Sequence, residues 1–197
     1  MRPRENRKQQ ILQLATEFFS RDGYDKVTVK QLADACGITE PAIYRHYPSK
    51  EAIYDSVLES LRDRMNYTET FAALEQENDI DKMLRTLALH IIEFYSANAD
   101  IYRLLLYAVL RGHERAKRIF DLIRGTYVKF LVKQLDRLHQ QGLIIEKNNE
   151  ITARCFIGMV FDCAMGRSLF KGLQGRSYDP IDTVANNVPI YARGLLK

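Results

Sequence analysis

Between Glu40 and His46 the chain gathers side chains whose functional groups can read nucleic acid. Arg45 can donate two parallel hydrogen bonds to guanine, and Glu40 can accept one from a cytosine amine. Pro41 and Ala42 offer apolar contact to a thymine methyl group. Tyr44, His46 and Lys50 suit the sugar-phosphate backbone, as do the main-chain N–H groups of helix starts at Thr28 and Thr39. No catalytic chemistry competes with this. The chain has no GxSxG, no glycine-rich phosphate loop and no DxD-type cluster, and its four histidines lack metal-ligand spacing. Neither an enzyme nor a resident metal or cofactor is therefore expected.

The outward set needs a scaffold, and the flanking residues supply one. Ile11, Leu12, Ala15, Phe18 and Phe19 form a helical stripe, closed by Gly23. Thr28 with Gln31 is a capping-box pattern for a second helix, which Gly37 ends. Thr39 is placed as N-cap of a third, with Pro41 in its first turn and Pro48 as its stop. Val29, Leu32, Ala33, Ile38 and Ile43 can form the apolar underside. Two short helices around a glycine turn make a helix-turn-helix, whose second helix enters the major groove.

The stretch Arg7 to Glu51 resembles the DNA-binding domain of the tetracycline-repressor (TetR) family. The resemblance is carried by Ile11-Leu12, Ala15, Phe18-Phe19, Gly23-Tyr24, Thr28-Val29, Leu32-Ala33, Gly37-Ile38, Ile43-Tyr44, His46-Tyr47 and Lys50-Glu51. Glu40-Pro41 and Tyr47 depart from the commonest family pattern, the first at positions that bear on which operator is read. The resemblance implies a homodimer on a double-stranded DNA operator, usually a repressor, whose C-terminal domain binds a small-molecule effector. Ligand binding would then move the helix after the motif and release DNA.

The rest of the chain also has helical periodicity, so the expected fold is all-α with about nine helices. Residues 1–50 are expected to form the DNA-binding domain, 51–74 one linking helix, and 75–197 a ligand-binding and dimerisation domain. The segment from Cys155 to Met165 is apolar nearly all round and calls for burial on several sides. Helices at about 150–171 and 180–196 are therefore expected to build the dimer interface, and a charge at Val160 or Phe161 to split it. Large residues at His90, Phe94, Tyr102, Leu106, Tyr107, Ile123, Tyr127, Phe130 and Met159 are either pocket lining or plain core. Asp162, a carboxylate in an apolar helix, is either a ligand anchor or the partner of an arginine.

Composition sets outer bounds. Hydrophobic residues make up 46% and charged residues 27%, as in an ordinary globular protein. The net charge of +4 permits nucleic-acid contact without demanding it, although Arg2, Arg4, Arg7 and Lys8 crowd the start. That basic arm reads either as phosphate-attracting or as a solvated terminus. Three cysteines without a CxxC pair suit a reducing compartment, and no segment reads as a signal peptide or a membrane span, so a cytoplasmic location is expected. Two other function classes stay open: a helical small-molecule-binding protein or enzyme that keeps the motif as scaffold, and a DNA-binding adaptor controlled by a protein partner.

Overall fold

The structure is a computed structural model. It describes residues 3–168 and 179–197, with side chains from 7 to 166 and from 179 onward. Arg2, the Arg4 side chain and the expected helix end at 169–171 lie outside the described residues. Ten helices form among them: α1 (Pro3–Asp22), α2 (Val29–Cys36), α3 (Glu40–Tyr44), α4 (Lys50–Asp63), α5 (Thr68–Leu74), α6 (Ile80–Ala97), α7 (Ala99–Leu110), α8 (Glu114–Gln140), α9 (Asn149–Ser168) and α10 (Pro180–Leu195). The fold is all-α, and the only β pairing among the described residues is an isolated antiparallel bridge between Ile144 and Leu196. No helix among them is long and apolar enough to cross a membrane.

The linking helix expected over 51–74 is two helices. α4 stops at Asp63 and α5 begins at Thr68. The intervening stretch contains Asn66 and Tyr67, and Thr68 follows, all weak helix formers. The hydrophobic period continues through the break at Leu61, Met65 and Phe71, which hides it from a periodicity reading.

Side-chain caps fix most other helix starts. Thr28 accepts from the Gln31 amide while the Gln31 side chain accepts from the Thr28 amide, a complete capping box. Ser49 caps α4 through the Ala52 amide, Asp79 caps α6 through Lys82, and Asp179 caps α10 through Ile181. α9 is capped by Asn148, whose side-chain oxygen accepts from the Ile151 amide. Gly37 adopts φ 64°, and the Gly37 and Ile38 amides close back on the carbonyls of Asp34 and Ala33. That left-handed closure ends α2 and turns the chain toward α3 at a position where a side chain is strained.

Contacts gather the chain into two compact units, neither of them one continuous stretch. The first comprises Met1–Arg64 with Asp100–Phe120, the second Met65–Ala99 with Asp121–Lys197. In the first, Ile11, Ala15, Phe19, Leu32, Ile43, Ile53, Val57, Leu58 and Leu61 are buried. Tyr54 also belongs to this core, edge-on to Phe19 at 5.3 Å, and its hydroxyl donates to the Leu104 carbonyl at 3.4 Å. In the second, α6 packs against both α9 and α10, and Tyr95 meets Phe161 at 4.6 Å.

Candidate nucleic-acid interface

The helix-turn-helix is assembled as its sequence requires. Val29, Leu32, Ala33 and Ile43 are buried, with Ile38 half-buried at the turn. α3 is five residues long, too short to hold its own shape, since a helix of that length is unstable alone. Its geometry comes from its surroundings. Thr39 has the extended backbone of an N-cap but makes no side-chain cap bond, and Pro41 sits in the first turn. The amides of Ala42 and Ile43 reach the Thr39 carbonyl, and those of His46 and Tyr47 reach Ile43. Tyr47, the departure from the usual phenylalanine, is buried, and its hydroxyl donates to the Lys8 carbonyl at 3.4 Å. Arg7 donates to the Cys36 carbonyl at 3.2 Å, at the end of α2. The motif is thus clamped to the start of α1 at two points.

Anchoring Ile43 leaves the other residues of the segment to face solvent. Pro41, Tyr44 and Arg45 are exposed, Tyr44 by 46% despite being aromatic. Glu40, Ala42 and His46 are half-exposed, and Thr28 and Thr39 are exposed at the two helix starts. Lys50, in the first turn of α4, carries its ammonium 4.2 Å above the Tyr24 ring, and Lys8 lies 5.4 Å from the Tyr47 ring. Arg45, Lys30 and Lys50 form no ion pair among the described residues, so their charge is available to phosphate. A five-residue helix with an arginine at its end and amides at its start can carry out base and phosphate contacts of the major-groove kind.

The residues expected to line an effector pocket are divided. Tyr102, Leu106 and Tyr107 belong to the first unit, and the others to the second. Within the second, His90 and Tyr127 come together, their rings 6.0 Å apart. The Thr70 hydroxyl lies 3.1 Å from His90 Nδ1, and Phe71 stands edge-on to Tyr127 and stacks on Phe130 at 3.9 Å. The Tyr127 hydroxyl and His90 Nε2 are buried without a hydrogen-bond partner among the described residues. Burial pushes the Tyr127 phenol strongly up and the His90 imidazole down, so both are neutral at pH 7. Phe94 and Ile123 are buried core, and Met159 is half-buried with the Asn187 amide on its sulfur at 3.2 Å. Thr70 and Phe71 carry no separate signal in the sequence, because their segment reads as the last turns of the linking helix expected over 51–74.

Asp162 is a correction. It is exposed on the outer side of α9, not enclosed in apolar surroundings, so within the chain it needs neither ligand nor arginine. Val160 and Phe161, expected at an interface, are interior residues. The outward side of α9 carries Ile151, Cys155 and Asp162 instead, with Gly158 and Met159 half-exposed between them. The apolar ring around this helix is divided between its own core and a surface stripe.

An unpartnered buried hydroxyl costs about 1–3 kcal/mol. Tyr127→Phe is therefore expected to stabilise the protein by about 1 kcal/mol, raising its melting temperature by about 2–4 °C. A fall of similar size in a thermal melt would show that the hydroxyl is bonded in solution.

The fold and the exposed face of α3 define a helix-turn-helix DNA-binding protein. Comparison with known proteins narrows the class. Residues 11–57 match the model for bacterial regulatory proteins of the tetR family. The nucleoid occlusion factor SlmA of Salmonella typhi is 37% identical over 96% of this chain and 95% of its own length. Among solved structures, a TetR-family transcriptional regulator from Mesorhizobium loti superposes with a TM-score of 0.75 at 20% identity, each chain covered completely. A TetR transcription regulator from Haloarcula marismortui gives 0.74 at 16% identity, covering 98% of this chain and all of its own. The chain belongs to the tetR family of regulatory proteins. It is a DNA-binding regulator and not an enzyme.

Proposed function

We propose that the chain is a cytoplasmic homodimer that reads a double-stranded operator through α3. In this reading Arg45, Glu40, Pro41 and Ala42 contact bases. Thr28, Thr39, Tyr44, His46 and Lys50 contact the backbone. The observation that carries it is the exposure of Tyr44 and Arg45 on a helix whose one buried side chain, Ile43, fixes its orientation. Dimerisation is assigned to the outward faces of α9 and α10, where Ile151, Cys155 and Ile190 are exposed among the described residues. Residues 1–50 then form the DNA-reading part, and the dimerising faces fall within 75–197.

Two outputs fit such a dimer. One is a repressor released by a small molecule, supported by the unpartnered Tyr127 hydroxyl and His90 nitrogen in an aromatic cluster of the second unit. The other is a nucleoid occlusion factor, as the SlmA relatives are named, and it has the stronger support. The similarity to them runs through nearly the whole chain rather than the motif alone. A factor that occludes over the nucleoid must be spread along the chromosome, whereas a repressor is needed only at its promoters. Mapping bound sites by chromatin immunoprecipitation separates the two. The expected result is many dispersed sites, mostly outside promoters, with little change in transcription on deletion. A few promoter sites with strong derepression would favour the ligand-released repressor.

A further inference from the structure

Within the first compact unit, a cleft of about 390 Å³ opens between the α1–α2 turn, the first turns of α4 and the α7–α8 turn. Its size falls in the range of small-molecule sites, about 300–1,000 Å³. Three tyrosines form its walls. Tyr24 and Tyr54 lie with ring centroids 4.7 Å apart, and Tyr107, half-exposed, stands at the rim.

The charges around these rings are unequal. Asp25 is paired with Arg111 at 2.7 Å. Asp55, behind the wall, is held by His113 at 3.5 Å and Arg115 at 3.4 Å. The Ala116 amide donates to His113 Nδ1 at 3.4 Å, and the other ring nitrogen faces Asp55. Exposed Glu51 lines the cleft and has no ion pair among the described residues. Glu51 is thus the carboxylate of the lining that no ion pair engages among the described residues. Burial raises the Tyr24 phenol, and the carboxylates of Glu51, Asp25 and Asp55 raise it further, as a negative field would.

The rings already attract cations. The Lys50 ammonium lies 4.2 Å over Tyr24, and the Arg111 guanidinium 5.3 Å from Tyr107. Electron-rich faces beside an unpaired carboxylate are the chemistry that selects ammonium groups. We propose that this cleft is a binding site for a small organic ammonium cation, held by Glu51 among the tyrosines that wall it, beside the positions that Lys50 and Arg111 already take. The proposal rests on the cleft alone and shares no residue with the His90–Tyr127 cluster.

The test uses the full-length protein, which has 11 tyrosines and no tryptophan, so tyrosine emission reports on the site. Tetramethylammonium and tetraethylammonium chlorides are titrated at constant ionic strength, with calorimetry in parallel. The uncharged near-isostere tert-butanol and the anion benzoate serve as comparisons. At least one of the two cations is expected to bind saturably, and tert-butanol and benzoate not to. Glu51→Gln and Tyr107→Ala alter exposed positions and are checked for folding by circular dichroism. Each is expected to weaken cation binding about tenfold. No saturable binding of either cation would overturn the proposal. So would tert-butanol or benzoate binding as well as the cations, or an unchanged affinity in Glu51→Gln. Operator binding is measured on the same samples, so a failure here is distinguishable from a failure of DNA recognition.

Discussion

Glutamate introduced at Ile151 and Ile190 together is expected to turn the proposed dimer into a folded monomer. Both side chains are more than half exposed on the chain, 59% and 63%, so the monomer loses little by the exchange. Across a two-fold interface each substitution occurs twice, and four carboxylates would be pressed into apolar surroundings. Burying an unpaired charge is strongly unfavourable. Even a net cost of about 4 kcal/mol raises the dimer dissociation constant about a thousandfold. Light scattering should give the monomer mass with helical content unchanged, and operator affinity should collapse because the two half-sites no longer act together. Dimer mass retained at micromolar concentration would place the interface elsewhere. A charge at Val160 or Phe161 should behave differently. Those residues are core, and the expected result is loss of structure, seen as a cooperative fall in the melting temperature.

Arg45→Ala is the second substitution with a large expected effect. Removing a bidentate guanine contact costs about 1–3 kcal/mol, and the loss is counted in both half-sites. Base preference should relax at one position of each half-site and stay sharp elsewhere. Selection of bound sequences from a random pool checks this, and an unchanged sequence logo would rule out direct reading by Arg45. Lys50→Ala should act otherwise. It is expected to weaken binding to all sequences and to reduce the slope of log affinity against log salt by about 0.9 for each phosphate no longer neutralised. Tyr44→Ala should weaken binding uniformly with little change in that slope, because it removes a hydrogen bond and no charge.

The parts of the fold fixed by local chemistry were legible in the chain. Thr28 with Gln31, Ser49, Asp79 and Asp179-Pro180 start helices where capping rules place them, and Gly37 ends one. What depends on distant neighbours was not. The middle of α9 is apolar nearly all round, and hydropathy does not distinguish a face covered by the same chain from one left for another. Val160 and Phe161 therefore read as interface, and Asp162 as buried. The break after Asp63 was hidden because its apolar positions keep helical spacing. The cleft lined by Tyr24, Glu51, Arg111 and His113 has no local signature, since it joins segments far apart in sequence. By contrast, the outward set from Glu40 to His46 was readable, because burying Ile43 dictates which neighbours must face away.

The brevity of α3 has an evolutionary consequence. The helix takes its position from Ile43, from the chain before and after it, and from the clamps that Arg7 and Tyr47 make at the start of α1. Pro41, Tyr44 and Arg45 carry almost none of that burden. On the proposed reading, changing Pro41 or Arg45 alters what is recognised while leaving the protein's stability nearly untouched. New target sequences are thus reachable by single steps through folded intermediates, and one scaffold can diversify its address on the chromosome without first becoming fragile.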